Sequence, residues 1–588
     1  MKHKSFYMLG VLVLVFSMLL AACAPGGGGE VVPTATKAPV EPTKVPEPTA
    51  TKEMAAEPTK APAEPTATSA PLYEGIKLEA PDCEYGGNVK SIEALDEFNV
   101  KVTLCNPDPA FLVKIAVPAF AIFDADYIAE IGGDAAKLAD NPVGTGPYVV
   151  QEWVRGDHIT FAPNPNYWGE APKNTFILKW NKEAAARLLD LQAGNVNGIV
   201  EVTADDVPTI QADPSLTLYP RLINTFLYLG INNTKPPFDN QVVRQAFAMA
   251  VDKQRIVDDF YAPGSVAATQ FVPPGVKPGF TDGYQGTTYD PVKAKQMLEG
   301  AGFDFNQEYI LSYAERTRPY FPQPTKIAQA VQAQLAEIGI KIKLEMEEWA
   351  TYLPAVRAGE KALFFLGWSE DYPDATNWYD VFLTGSSPSF GNAFPEIVER
   401  IQKAATLADP VERQKIYDEV NKLYDELVPT IVIAHGTTAL AFQASVKNVV
   451  LGPYNENFQQ METENGTLVF SQDGEPVSLY CSDETDGSSF RACLQIFDTL
   501  YNFKFGSAET QPALAEKCSA NTEGTEWTCT LKQDVKFSNG ASLDANDVVT
   551  SWGTMWDYNH PLRKGNTGVF QYWKDFFGPK ALNEPPSQ

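Results

Sequence analysis

The sequence predicts an α/β fold assembled from at least two lobes, on three observations. The chain has 588 residues, more than one hydrophobic core usually serves. Its apolar fraction is 44%, with 33 Phe, 24 Tyr and 10 Trp, the make-up of a well-packed body. The third observation is order: an apolar helical stripe from about Thr325 to Ile338 runs through Gly339 into the strand Ile340-Lys-Ile-Lys-Leu344. Helix, glycine and β-rich strand in succession are the grammar of α/β layers.

The elements follow in chain order. Lys2 and Lys4 precede an apolar run, Phe6 to Leu20, too short and too close to the N-terminus for an ordinary membrane span. It ends in Leu20-Ala-Ala-Cys23, which resembles a bacterial lipobox, with the Cys23 thiol as lipid acceptor. The alternative is an ordinary signal peptide with a chance cysteine. Residues 1–23 are thus expected to be a lipoprotein signal, and residues 24–71 a Pro/Thr-rich tether with units such as Glu57-Pro-Thr-Lys-Ala-Pro62. Such a composition buries no core and favours extended polyproline-like chain, with a reach on the order of 150 Å. Alternation of Ile92 and Ala94, then Val100, Val102 and Leu104, around Asp96-Glu97 predicts a hairpin. Helical stripes are predicted over Val242–Asp259 and about Pro410–Glu426.

Charge and cysteines narrow the setting. A net charge of −28 argues against nucleic acid and against docking on anionic lipid. Apart from Cys23, six cysteines fall into three local pairs, none with zinc-site spacing. Counted outward from the turn Glu523-Gly524, Cys518 faces Cys529 across a hairpin, within reach of a disulfide. Cys481–Cys493 and Cys83–Cys105 are the other expected bridges, with buried free thiols as the alternative. There is no Gly-x-Ser-x-Gly elbow, phosphate loop or His-Glu-x-x-His helix, and four histidines lie far apart. No catalytic residue, metal or cofactor is expected, and an extracellular glycosidase is the remote enzymatic alternative.

Several motifs then occur together: Asn141-Pro-Val-Gly-Thr-Gly-Pro-Tyr148, Asn164-Pro-Asn-Tyr-Trp168, Val243-Arg-Gln-Ala-Phe-Ala-Met-Ala-Val-Asp-Lys253, Tyr289-Asp-Pro-Val-Lys-Ala-Lys295 and Gly300-Ala-Gly302. They resemble, in order, the solute-binding proteins of peptide ABC importers (family 5). Pro476–Tyr480, Phe497-Asp-Thr-Leu-Tyr501 and Leu531-Lys-Gln-Asp-Val-Lys-Phe537 resemble the opening of that family, yet they stand at the end of this chain. The resemblance implies a type II periplasmic-binding-protein-like clamshell of two α/β lobes with a small additional subdomain, circularly permuted. It implies residues 72–140 as the second part of the small subdomain and 141–235 as part of lobe I. Residues 236–447 would form lobe II, 448–504 the rest of lobe I, and 505–588 the first part of the small subdomain. Crossovers are expected near Asn232–Asn240 and Ala444–Gly452, with 505–588 packed on 72–140. Gly144 and Gly146 are read as turn formers, and His435 as structural.

The resemblance also implies a function: a lipid-anchored monomer outside the cytoplasmic membrane that captures short peptides by lobe closure and hands them to an ABC permease. Gly367-Trp-Ser-Glu-Asp-Tyr-Pro-Asp374 follows the apolar strand Ala362–Leu366, at the strand end where α/β lobes bind ligands. Oligopeptide-binding relatives use the matching aspartate for the peptide ammonium, which points to Asp371, with Trp368 and Tyr372 as walls. The alternative for Asp371 is organising the turn before Pro373. Dipeptide-binding relatives hold the peptide carboxylate through an arginine in a motif similar to Thr317-Arg-Pro-Tyr320, which points to Arg318; simple solvation is the alternative. Trp349 and Tyr352 are candidate aromatic walls or core residues. Relatives on this scaffold also take oligosaccharides or nickel chelates, and a sensory receptor is a further reading. The permutation is expected to leave Asp371 and Arg318, on the other lobe, untouched.

Overall fold

The computed structural model describes residues 73–221, 223–384 and 388–585. The proposed signal with Cys23 and the tether lie outside the described residues.

A six-stranded sheet forms around Thr225–Ile231, whose seven residues are all buried, as a central strand covered on both faces requires. Leu363–Ser369 and Thr430–His435 flank it antiparallel. Glu308–Ala314 continues the sheet parallel to Leu363–Ser369, followed by Lys341–Glu347. That last strand lies at the edge and alternates Lys and Glu with apolar residues, a pattern that blunts edge pairing. Leu227, Leu229 and Ile231 enter one core while Phe226 and Tyr228 enter another, so the pleat feeds a core on each face.

A seven-stranded sheet builds the second lobe, in the order Tyr148–Val154, His158–Pro163, Thr175–Trp180, Thr467–Gln472, Gly198–Ile199, Thr438–Gln443 and Leu216–Arg221. A third, five-stranded sheet runs Lys77–Glu79, Val89–Asp96, Asn99–Leu104, Glu526–Leu531 and Ala515–Ala520. Strands from the two ends of the described chain therefore share one sheet, with Trp527 opposite Val102. Helix Ala545–Trp556 packs on the Val89–Asp96 strand, starting from a capping box between Asp544 and Asp547. This sheet and the seven-stranded one share a single apolar core that includes Phe176, Phe470, Val100 and Trp573.

The chain passes between the two large sheets between Arg221 and Thr225, and again between His435 and Thr438. Both crossings precede the expected positions, Asn232–Asn240 and Ala444–Gly452. The reason is visible in the pairing: Thr225–Ile231 is already the centre of the six-stranded sheet, and Thr438–Gln443 already pairs with Leu216–Arg221. Residues 225–235 thus belong with lobe II and 438–447 with lobe I. The crossovers are bonded to each other: the Thr225 hydroxyl donates to the Gly436 carbonyl at 2.8 Å, and His435 Nδ1 lies 3.1 Å from the Thr225 carbonyl. Burial holds the His435 imidazole down at about 4, consistent with a structural role.

Gly144 and Gly146 are needed for a reason other than a turn. A Cβ on either would sit 2.2 and 2.5 Å from the Ile496 backbone, and Gly146 donates to the Ile496 carbonyl at 2.8 Å. All three expected disulfides form: Cys83–Cys105, Cys481–Cys493 and Cys518–Cys529, the last in the facing register read from the turn. Replacing Cys518 and Cys529 together by Ser is expected to lower unfolding stability by about 2–4 kcal/mol, measured as a fall in the denaturant midpoint under non-reducing conditions.

Candidate functional site

The segment from Ser369 to Asp374 leaves lobe II at the end of strand Leu363–Ser369 and reaches the other lobe. Gly367 permits the approach beneath it, since a Cβ there would lie 2.3 Å from the Tyr320 ring. Asp374 anchors the far end. Arg413, in helix Pro410–Leu427, donates to both its oxygens at 2.7 and 2.6 Å, and Thr376 donates its N–H and hydroxyl. Burial alone would raise the Asp374 carboxyl, but the Arg413 guanidinium holds it below the ordinary range.

Among the described residues, Asp371 and Glu370 have no such cation. Asp371 Oδ1 accepts from the Tyr572 hydroxyl at 2.8 Å, and Oδ2 accepts from Asn377 Nδ2 at 3.2 Å. Asn377 also accepts from the Asp371 N–H at 2.9 Å, so turn organisation and an available carboxyl coexist. Burial pushes the Asp371 carboxyl up to about 6. Tyr572 lies in helix Gln571–Phe577 of the five-stranded-sheet unit, so the C-terminal segment reaches Asp371, which the resemblance placed on the other lobe. Tyr372 is buried in the core of lobe I, edge-on to Phe576 at 4.7 Å. It joins the lobes by packing, where the sequence suggested a pocket wall.

The other candidates separate into two groups. Trp368 is half-buried, donates to Asn377 Oδ1 at 3.3 Å and meets Phe382 edge-on. Tyr352 is fully buried, and its hydroxyl donates to the Phe365 carbonyl at 2.6 Å and the Ser312 carbonyl at 3.2 Å. Both hydrogen bonds and burial make Tyr352 part of the lobe II core, not a cleft wall. Arg318 lies 5.2 Å and Arg316 5.3 Å from the centre of the Trp349 ring, within cation–π range. Arg318 forms no ion pair among the described residues. Its charge acts across the cleft on Glu201 of lobe I, whose carboxyl is raised by burial and Asp473 and drawn back by Arg187, Arg491 and Arg318.

A cavity of about 480 Å³ lies in lobe I, bordered by Tyr167, Trp168, Tyr454, Gln495, Asp498 and Asn502. None of the six sequence-chosen ligand residues lines it. Asp498 accepts from Trp168 Nε1 at 2.9 Å and from Thr145 at 3.1 Å. Three sequence motifs therefore meet at one buried carboxyl, which burial raises. Asp498 stood in the quoted Phe-Asp-Thr-Leu motif; Tyr454 and Tyr572 carried no local signal.

Two α/β lobes joined by two adjacent crossovers, with a polar loop between them, form the architecture of a two-lobe binding protein. The chain belongs to the bacterial extracellular solute-binding proteins, family 5, whose middle-region model matches residues 50–390 and 509–581. This is a family of binding proteins, not of enzymes. The chain is 31% identical over 379 residues to di/tripeptide-binding protein 1 of Pseudomonas aeruginosa, covering 63% of this chain and 70% of the relative. It is 30% identical over 375 residues to heme-binding protein A of Haemophilus influenzae, covering 62% and 68%. Among solved structures, HbpA2 from Haemophilus parasuis matches with a TM-score of 0.58 and 28% identity, over 64% of this chain and 76% of that one.

Arg413→Ala would leave Asp374 buried and unpaired, and is expected to cost about 3–5 kcal/mol of stability. Because the folded Asp374 value is depressed, the pair's contribution is present above about pH 4 and is lost as pH falls through the folded value. Chemical denaturation of wild type and variant at neutral and acid pH measures both effects, with the gap between them closing in acid.

Proposed function

We propose that this protein captures short peptides between its lobes and delivers them to an ABC import permease. The observation that carries this reading is the Asp371 carboxyl: half-buried, between the lobes, and held only by the neutral donors Tyr572 and Asn377. A carboxylate so placed gains most from an incoming ammonium group. Arg318, with Trp349 against it, is the matching guanidinium for the peptide carboxylate. Trp368 borders the same loop. The name of the di/tripeptide-binding relative supports the same ligand class. Haem, the ligand in another relative's name, brings two carboxylates and would set negative charge near Glu370 and Asp371.

In this reading closure works without chemistry: the ligand bridges the lobes and shifts the population toward the closed form. The chain acts as a monomer, hung from the outer face of the cytoplasmic membrane by a lipid on Cys23 and the 24–71 tether. The order of its segments is a circular permutation, opened within the small subdomain. Pairing of Glu526–Leu531 with Asn99–Leu104 supports this, because it closes the sheet across the chain ends.

Asp371→Ala is expected to weaken binding of dipeptides by well over tenfold, measured by isothermal titration calorimetry after refolding to strip bound ligand. Unchanged affinity would remove Asp371 from the site. An ammonium needs the ionised carboxyl, so wild-type affinity is expected to fall as pH drops through about 6. Native mass spectrometry of the tether-less protein supplies the ligand class directly; a carbohydrate mass would overturn the peptide reading. A gene re-ordered to run 476–588 and then 72–475, without signal and tether, is expected to keep dipeptide affinity within about threefold of the present order.

A further inference from the structure

Glu370 stands beside Asp371 and makes a different set of contacts. Its Oε2 accepts from Asn224 Nδ2 at 2.7 Å and from the Tyr454 hydroxyl, and its Oε1 accepts from Trp378 Nε1 at 3.2 Å. Its own N–H donates to the Asn224 carbonyl at 3.0 Å. These partners come from three places. Asn224 lies in the first crossover, Trp378 in helix Thr376–Leu383 of lobe II, and Tyr454 in lobe I, stacked on Phe503 at 4.1 Å. One side chain of lobe II is thereby bonded to the opposite lobe and to the hinge.

We propose that Glu370 is the latch of lobe closure, a positioning residue that acts through Tyr454 and Asn224 and makes closure sensitive to protons. The three donors are neutral, and the charged group that acts on Glu370 is another carboxyl, Asp371. Asp371 in turn faces Tyr572, Asn377 and Asp575. Burial, with a lesser contribution from Asp371, pushes the Glu370 carboxyl up to about 8 in the closed arrangement. Separating Tyr454 from it admits water and returns it toward about 4.3. Closing near neutral pH therefore takes up a proton at Glu370, and rising pH favours the open form. The inference rests on lobe closure in the proposed function and not on the identity of the ligand.

Small-angle X-ray scattering of the ligand-free full chain between pH 6.5 and 9 tests it without any ligand. The wild-type radius of gyration is expected to rise with pH, the closed-to-open ratio falling about tenfold per pH unit up to about pH 8. Glu370→Gln keeps the shape and one acceptor oxygen and never ionises, so its radius is expected to be the same at pH 9 as at pH 6.5. Tyr454→Phe loses the cross-lobe donor and is expected to be expanded already at pH 6.5. A wild-type radius independent of pH, or an E370Q radius that follows the wild type, would overturn the latch. Failure of dipeptide binding alone would leave these three results unchanged.

Discussion

Three carboxyl groups within five residues, with one cation among them, set the character of the lobe junction. Asp374 receives both arms of Arg413, a geometry that repays desolvation because charge and hydrogen bonds are matched together. Glu370 and Asp371 receive only neutral donors and are held up toward neutrality by burial. The same short segment is thus electrostatically complete at one end and incomplete at the other. An ionised carboxyl buried without a partner costs several kcal/mol, so the incomplete end favours a proton or a cation. That preference exists before any ligand is considered.

The rigid end explains why the loop spans the lobes at all. Tyr372 is buried in the lobe I core against Phe576, and the Lys114 ammonium sits 5.5 Å from the centre of its ring. Lys114 is itself fixed, by Asp108 at 2.6 Å and the Phe576 carbonyl at 2.9 Å. Among the described residues the loop meets lobe I through one aromatic plug and two tyrosine hydroxyls, Lys326 of lobe II pairs with Asp205 of lobe I at 3.8 Å, and two short crossovers link the lobes covalently. Those crossovers are bonded to each other through Thr225 and Gly436, which in the proposed closure makes them one hinge, with the dihedral changes confined to a few residues. Glu370 grips that hinge at Asn224, which connects the state of the loop to the state of the joint.

Local physics was legible in the sequence, and distant packing was not. The Cys518–Cys529 register followed from counting outward from a two-residue turn, and the hairpin around Asp96-Glu97 from alternation alone. The crossovers were misplaced because their positions were carried over from the resemblance, whereas Thr225–Ile231 is buried throughout as the centre of the six-stranded sheet. Tyr352 was read as a possible wall because an aromatic near a candidate arginine looks the same whether its hydroxyl meets ligand or the backbone of Ser312 and Phe365. The loop stood out because a polar cluster after an apolar strand marks a strand end, and the family resemblance singled out Asp371 within it. Glu370, one residue away, had no separate signal, since its role depends on Asn224 and Tyr454, 146 and 84 residues distant.

Tyr572 sharpens that distinction. It is 201 residues from Asp371 and belongs to the segment that, read along the chain, lies outside both large lobes. The fold nevertheless brings it there, because Glu526–Leu531 extends the sheet begun by residues 77–104 and carries helix Gln571–Phe577 with it. Helix and loop then lock through the Phe576–Tyr372 contact, which fixes where the Tyr572 hydroxyl points. The small subdomain is therefore part of the Asp371 site and not a remote appendage. Sheet pairing carries the helix to the loop and the aromatic contact aims the hydroxyl, so membership of the site is decided by packing between residues 201 apart and not by neighbourhood along the chain.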